Sequence, residues 1–363
     1  MKAILGACLA WAIAVSAVCA IAAPCGPFGD PPAQVSHGWF ASFLTRYSPV
    51  CSDAKPLGPW KDAGGDERYA CIFEPSDASK SSPLPLVVFL HGSVAIADSV
   101  KFTGLVDLVN HADLGGKRPG FILLAPQGRY TSHFYPGIDS HGFGWDNWYR
   151  QLSPSGNQTV DGATYPENID ATTIDHFVAQ VVASGKVDTH RIYLMGWSNG
   201  AAMAMLYALN RSWVAAAAVF SAPDPFSAFF DLCSQSPVAG EANGAGQVHV
   251  FNPHVPLMHV RNDCDIGGIC PNGNRFTERI VAMGGRIEDV VIDPSGDRVT
   301  SCNATCGTDV MGDGQIEKIG ALRGLAHHVR WPTEWNDRML SFLRQHSTDT
   351  APKSGADAIQ LSP

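Results

Sequence analysis

Ile192-Tyr193-Leu194-Met195-Gly196-Trp197-Ser198-Asn199-Gly200-Ala201-Ala202-Met203-Ala204-Met205-Leu206 runs from an apolar strand pattern, through a tight Gly-X-Ser-X-Gly turn, into a helix-forming stretch. Such a strand-turn-helix junction holds its central serine in a strained backbone conformation. The hydroxyl is thereby exposed at the carboxyl edge of a sheet, and the flanking glycines let strand and helix approach closely. Ser198 is the candidate nucleophile. The five-residue pattern alone is weakly specific, and its weight comes from the strand and helix on either side.

Working outward, the same alternation recurs. Leu86-Val87-Val88-Phe89-Leu90, Gly120-Phe121-Ile122-Leu123-Leu124 and residues 191–195 are short, wholly apolar runs, as strands buried on both faces require. Between them, residues 169–182 space Ile174, Phe177, Val178, Val181 and Val182 at helical intervals. Residues 215–220, 257–260 and 290–292 read as later strands, and residues 334–346 as a closing helix. Strand, helix, strand throughout predicts an α/β fold with a mostly parallel sheet flanked by helices. Residues 24–80 are rich in Pro, Gly and Cys and are expected to wrap the start of the sheet. Residues 128–168 carry little periodicity and hold Phe143, Trp145, Trp148 and Tyr149. A segment this long without regular pattern is commonly functional. Trp145 and Trp148, with Trp197 beside the serine, are taken as substrate-binding, since such rings suit a half-wet cleft.

Composition bounds the setting. The chain has 363 residues, 45% hydrophobic and 16% charged, which suits a folded core. Residues 1–22 read as a secretory signal peptide, with Lys2 at its start, an apolar stretch, and Ala20-Ile21-Ala22 as the cleavage pattern. Residues 23–346 then form the catalytic domain, and 347–363 a small, polar, disordered tail. No stable membrane insertion is expected after cleavage. Of ten cysteines, Cys8 and Cys19 leave with the signal, and the remaining even number suits a disulfide-stabilised protein in an oxidising compartment. Cys264 with Cys270 and Cys302 with Cys306 are the short-loop pairings expected. The formal net charge of −9, with no run of Lys or Arg, makes nucleic acid an unsuitable partner. Asp309, Asp313 and Glu317 lack the ligand spacing of a calcium loop, and neither metal nor cofactor is expected.

A serine hydroxyl needs a base, and imidazole titrates near neutrality. With this kind of turn the chain order is serine, acid, histidine, so the base should follow the last strand. His327 and His328 qualify, in Gly324-Leu325-Ala326-His327-His328. Adjacent side chains point in different directions, so one of them meets the serine, and His327 is favoured. The acid belongs in the loop after residues 257–260, where Asp263 and Asp265 both stand in Arg261-Asn262-Asp263-Cys264-Asp265. An oxyanion needs two backbone amides, expected from Asn199, which follows the nucleophile, and from Ser93, in the turn His91-Gly92-Ser93. His91, directly after a buried strand, is read as support for that turn rather than as a base.

With these positions placed, the chain resembles the secreted polyhydroxybutyrate depolymerase and feruloyl esterase group of α/β-hydrolases, from about Leu86 to Trp331. Leu90-His91-Gly92, Trp145-Asp146-Asn147-Trp148-Tyr149 and Val187-Asp188-Thr189-His190-Arg191-Ile192-Tyr193 carry the likeness. Counted from Pro256 by the family's spacing, the acid is Asp265. The resemblance implies a secreted serine esterase acting on hydroxyalkanoate polyesters or their oligomers, with feruloyl or acetylxylan esters as an alternative. A serine peptidase, or a non-catalytic binding protein of the same fold, are the other readings. Trp331 lies four residues beyond His327, where the family places a tryptophan two beyond its histidine, which leaves His327 against His328 open.

Overall fold

Wholly apolar strands cannot face water, and here they assemble into the buried middle of one sheet. The computed structural model describes residues 51–352 apart from 53, 63–66, 94, 136–137, 146–156, 161–162, 167–168, 226–251, 267–268, 304–323 and 351. The expected signal peptide, Trp148 and all but the first few residues of the expected tail lie outside the described residues. In chain order the strands are β1 (Lys55–Lys61), β2 (Glu67–Phe73), β3 (Leu84–Leu90), β4 (Ile122–Pro126), β5 (Arg129–Tyr135), β6 (Ile138–Gly144), β7 (Asn157–Val160), β8 (Ala163–Pro166), β9 (Val187–Trp197), β10 (Ala216–Phe220), β11 (Leu257–Asn262), β12 (Ile287–Ile292) and β13 (Arg298–Val299). Nine of them form a sheet in the order β1-β2-β4-β3-β9-β10-β11-β12-β13. From β4 to β12 all neighbours are parallel, while β1, β2 and β13 pair antiparallel at the edges.

Side chains alternate across this sheet and feed two cores. Leu86, Val88, Ile122, Leu124, Ile192, Leu194, Ala217 and Val219 face one side. There they meet Ile174, Phe177, Val178 and Val181 of helix α1 (Ile169–Val182) and the fully buried helix α2 (Asn199–Ala208). Val87, Phe89, Leu123, Tyr193, Met195 and Phe220 face the other, against Met339, Leu340 and Leu343 of a later helix. Each of these Val, Leu, Ile, Phe and Met side chains taken out of water contributes about 1.5–3 kcal/mol. Helix α3 (Ile269–Ala282) precedes β12, and helix α4 (Asn336–Arg344), entered through a 3-10 turn at Thr333–Trp335, closes the fold. The closing helix is thus shorter than the expected 334–346.

Two regions differ from expectation. Residues 55–73 supply the edge strand β1 and its neighbour β2 rather than a mere wrapping, and Cys51–Cys71 ties the chain entering β1 to β2. Residues 128–168, read as aperiodic, hold the antiparallel pairs β5-β6 and β7-β8. The expected tail begins in order: the Thr348 amide donates to the His190 carbonyl at 3.0 Å. Cys270 pairs with Cys302, so neither expected short-loop disulfide forms. Cys264 is nevertheless in a disulfide.

Candidate active site

The carboxyl ends of β9, β10 and β11 lie side by side and present Ser198, Ser221 and Asp265 along one edge. Ser198 has φ 57° and ψ −123°, the strained turn read from the sequence. Glycine is compulsory around it. A Cβ on Gly200 would sit 2.2 Å from the Leu90 carbonyl oxygen, and one on Gly196 would sit 2.5 Å from the Gly200 carbonyl oxygen. The Ser198 amide donates to the Phe220 carbonyl at 3.0 Å, fixing the turn on β10.

The imidazole facing this serine is His328. Its Nε2 lies 2.7 Å from Ser198 Oγ, and its Nδ1 lies 2.7 Å from Asp265 Oδ1. His327 does not meet the serine; its Nδ1 lies 3.1 Å from the Cys264 carbonyl. The reason is local. Residues 324–328 form a helical turn, in which consecutive side chains are rotated by about 100°, so one histidine faces the serine and its neighbour faces the acid loop's backbone. Gly324 lets that turn dock: a Cβ there would fall 2.7 Å from the Asp265 carbonyl carbon. The Trp197 indole donates to the His328 carbonyl at 2.8 Å and anchors the far end.

Asp265 is 5% exposed and saturated with donors. The Ile266 amide reaches Oδ1 at 2.7 Å, while the Ser221 hydroxyl and the Asn262 amide nitrogen donate to Oδ2. Asp263 instead continues the β11 ladder, its amide on the Ile292 carbonyl and its carbonyl accepting from Asn303. With Nδ1–H donated to Asp265, His328 Nε2 is left to accept the serine proton.

Asn199 opens α2, where the amides of the first turn and the helix dipole favour negative charge. Its side chain accepts from the Trp145 amide at 2.7 Å and donates to the Trp145 carbonyl at 3.0 Å. Ser93 lies in the turn after β3, beside Gly92, where an added Cβ would lie 3.4 Å from Ser198 Cβ. His91 braces this turn from within: Nε2 accepts from the Gly128 amide at 2.9 Å, and Nδ1 faces the Gly92 carbonyl at 2.8 Å.

The expected aromatic cleft is corrected in part. Trp145 is fully buried, its indole donating to the His91 carbonyl at 2.8 Å, so it braces the site instead of lining a substrate surface. Trp197 is half-buried and packs edge-on against Trp331 at 6.1 Å between ring centroids. Sequence reasoning missed Ser221 altogether and gave Asn262 no role. No motif marks a serine after an apolar strand as a partner of the acid.

Sheet order, elbow and triad define a serine hydrolase of the α/β-hydrolase class. Residues 68–239 match the model of the family described as Esterase PHB depolymerase, which makes the chain a carboxylic ester hydrolase and bears out the polyhydroxybutyrate depolymerase side of the resemblance. Among solved structures, a thermostable esterase is 16% identical with a TM-score of 0.49, over 82% of this chain and 64% of that one. Esterase 2 of Thermogutta terrifontis is 14% identical with a TM-score of 0.47, over 82% of this chain and 97% of that one. The comparison with curated proteins gives no match.

Proposed function

We propose that this chain is a secreted esterase that cleaves hydroxyalkanoate polyesters or their oligomers through an acyl-enzyme on Ser198. The unbroken line from Ser198 Oγ through His328 to Asp265, each step 2.7 Å, carries the reading. Ser198 Oγ attacks the ester carbonyl carbon as its proton passes to His328 Nε2. Asp265 keeps Nδ1 protonated and stabilises the imidazolium. The oxyanion is received by the Asn199 and Ser93 amides. Collapse of the tetrahedral adduct breaks the bond to the alcohol, which takes the proton from His328. Water then repeats the sequence on the acyl-serine, releasing the acid and restoring the enzyme.

The family description supports the polyester substrate class, and the disulfides suit export. Turnover of p-nitrophenyl butyrate, hydroxybutyrate trimer, methyl ferulate and a peptide panel tests the substrate. The trimer should be hydrolysed faster than methyl ferulate, and cleavage of peptides alone overturns the esterase reading. A fluorophosphonate probe should label the wild type at Ser198 and leave Ser198→Ala unlabelled. A wild-type chain that resists the probe would instead be a binding protein.

A further inference from the structure

Two residues other than glycine have positive φ among the described residues, Ser198 at 57° and Ser221 at 51°. A positive φ strains the backbone of an L-residue and persists only where the surroundings impose it. For Ser198 the elbow supplies the reason. Ser221 has no such motif, yet it is held on every side. Its side chain is fully buried, and its amide donates to the Val260 carbonyl at 2.8 Å. The next amide, that of Ala222, is taken by His259 Nε2 at 3.1 Å. This backbone twist turns the Ser221 hydroxyl onto Asp265 Oδ2. Asn262 Nδ2 lies 3.3 Å from both Ser221 Oγ and Asp265 Oδ2 and closes a three-membered network.

A carboxylate with only one oxygen engaged can rotate and present either face to its partner. Here Oδ1 serves His328 and the Ile266 amide, and Oδ2 is claimed by Ser221 and Asn262. We infer that Ser221 is a positioning residue of the hydrolytic site, its hydroxyl locking the Asp265 carboxylate plane so that Oδ1 stays on His328. The inference rests on Asp265 being the group that orients the base. Ser221 touches no reacting atom, so its effect must pass through Asp265 and fall on turnover rather than on substrate affinity.

The test measures kcat and KM on p-nitrophenyl butyrate, the rate of fluorophosphonate labelling, and the thermal midpoint. Ser221→Ala and Ser221→Gly are made alone and in an Asp265→Asn background. Each single variant should lower kcat and the labelling rate by roughly 10- to 100-fold, the worth of a hydrogen bond to a charged group, with KM within about twofold. In the Asp265→Asn background the same changes should alter the labelling rate by less than about twofold, because the group they position is gone. Ser221→Gly relieves the backbone strain while removing the hydroxyl, so it remains informative if the alanine variant fails to fold. A glycine variant with wild-type kcat and a shifted thermal midpoint, or an equal loss of rate in the Asp265→Asn background, overturns the inference. Wild-type protein that the probe does not label sinks the esterase reading itself, a separate outcome.

Discussion

Ser198 and the His328–Asp265 pair meet at one point but are held there by different means. The serine is fixed by its own chain neighbours: β9 before it, α2 after it, and two glycines without which strand, helix and β3 collide. Histidine and acid stand 63 residues apart and are fixed by staples from elsewhere. These are the Gly324 contact on the Asp265 backbone, the Trp197 indole on the His328 carbonyl, and the Cys264 disulfide. The difference teaches where damage goes. Disturbing the serine side attacks the sheet core itself, whereas loosening the other side leaves a folded protein with a misaligned base.

The sharpest way to break this comparison is to separate the two histidines. His328→Ala should lower kcat by about 10⁴- to 10⁶-fold, as loss of a triad base does, while His327→Ala should stay within about fivefold. The reverse ranking in steady-state kinetics would refute the placement of His328. Next comes a pair of glycines. Gly200→Ala forces a methyl into backbone oxygens and should cost more than about 3 kcal/mol in denaturant unfolding or abolish soluble protein. Gly324→Ala should remain folded, losing about 1–2 kcal/mol, yet lose roughly 10- to 100-fold in kcat. Equal stability losses at both glycines would erase the distinction.

Acid tests the network behind Ser221. Burial pushes the His259 imidazole down to about 4, so the folded chain leaves it neutral while the unfolded chain protonates it below about 6.5. The unfolded state therefore binds more protons between those values, and stability falls as pH drops through that window, by an amount on the order of 3 kcal/mol at pH 4. Unfolding curves from pH 7 to pH 4 should be shallower for His259→Gln than for the wild type. Identical slopes would remove His259 from the account. The smallest effect is expected at Trp197→Phe, which keeps the ring packing but drops one neutral hydrogen bond. A loss of about 1 kcal/mol and a few-fold fall in kcat should appear, with KM unchanged.

What could be read beforehand follows the same division. The strands β3, β4 and β10, with the segments 192–195 of β9, 257–260 of β11 and 290–292 of β12, are buried on both faces, so their largely apolar runs announce them. The exposed edge strand β1, Lys-Pro-Leu-Gly-Pro-Trp-Lys, carries breakers and charge and gives no such signal. The elbow is legible because its cause is local. The choice of His328 depends on how the helical turn at 324–328 docks against a loop near residue 265, which adjacent identical residues cannot reveal. Asp265 was reached by a family spacing. Its support by Ser221 was invisible, since a positive φ outside glycine leaves no trace in composition. Trp145 was misjudged for a related reason: an indole that satisfies its N–H on a buried carbonyl has the same sequence signature as one that lines a cleft.

Asn199 grips both backbone groups of Trp145, and Trp145 in turn holds the turn that carries Ser93. The end of β6 is thereby wired to both proposed amides of the anion pocket. A loop library aimed at new acyl preferences should therefore cut after residue 145 and keep that tryptophan, since a graft that shifts it would detune chemistry while seeming to change only selectivity.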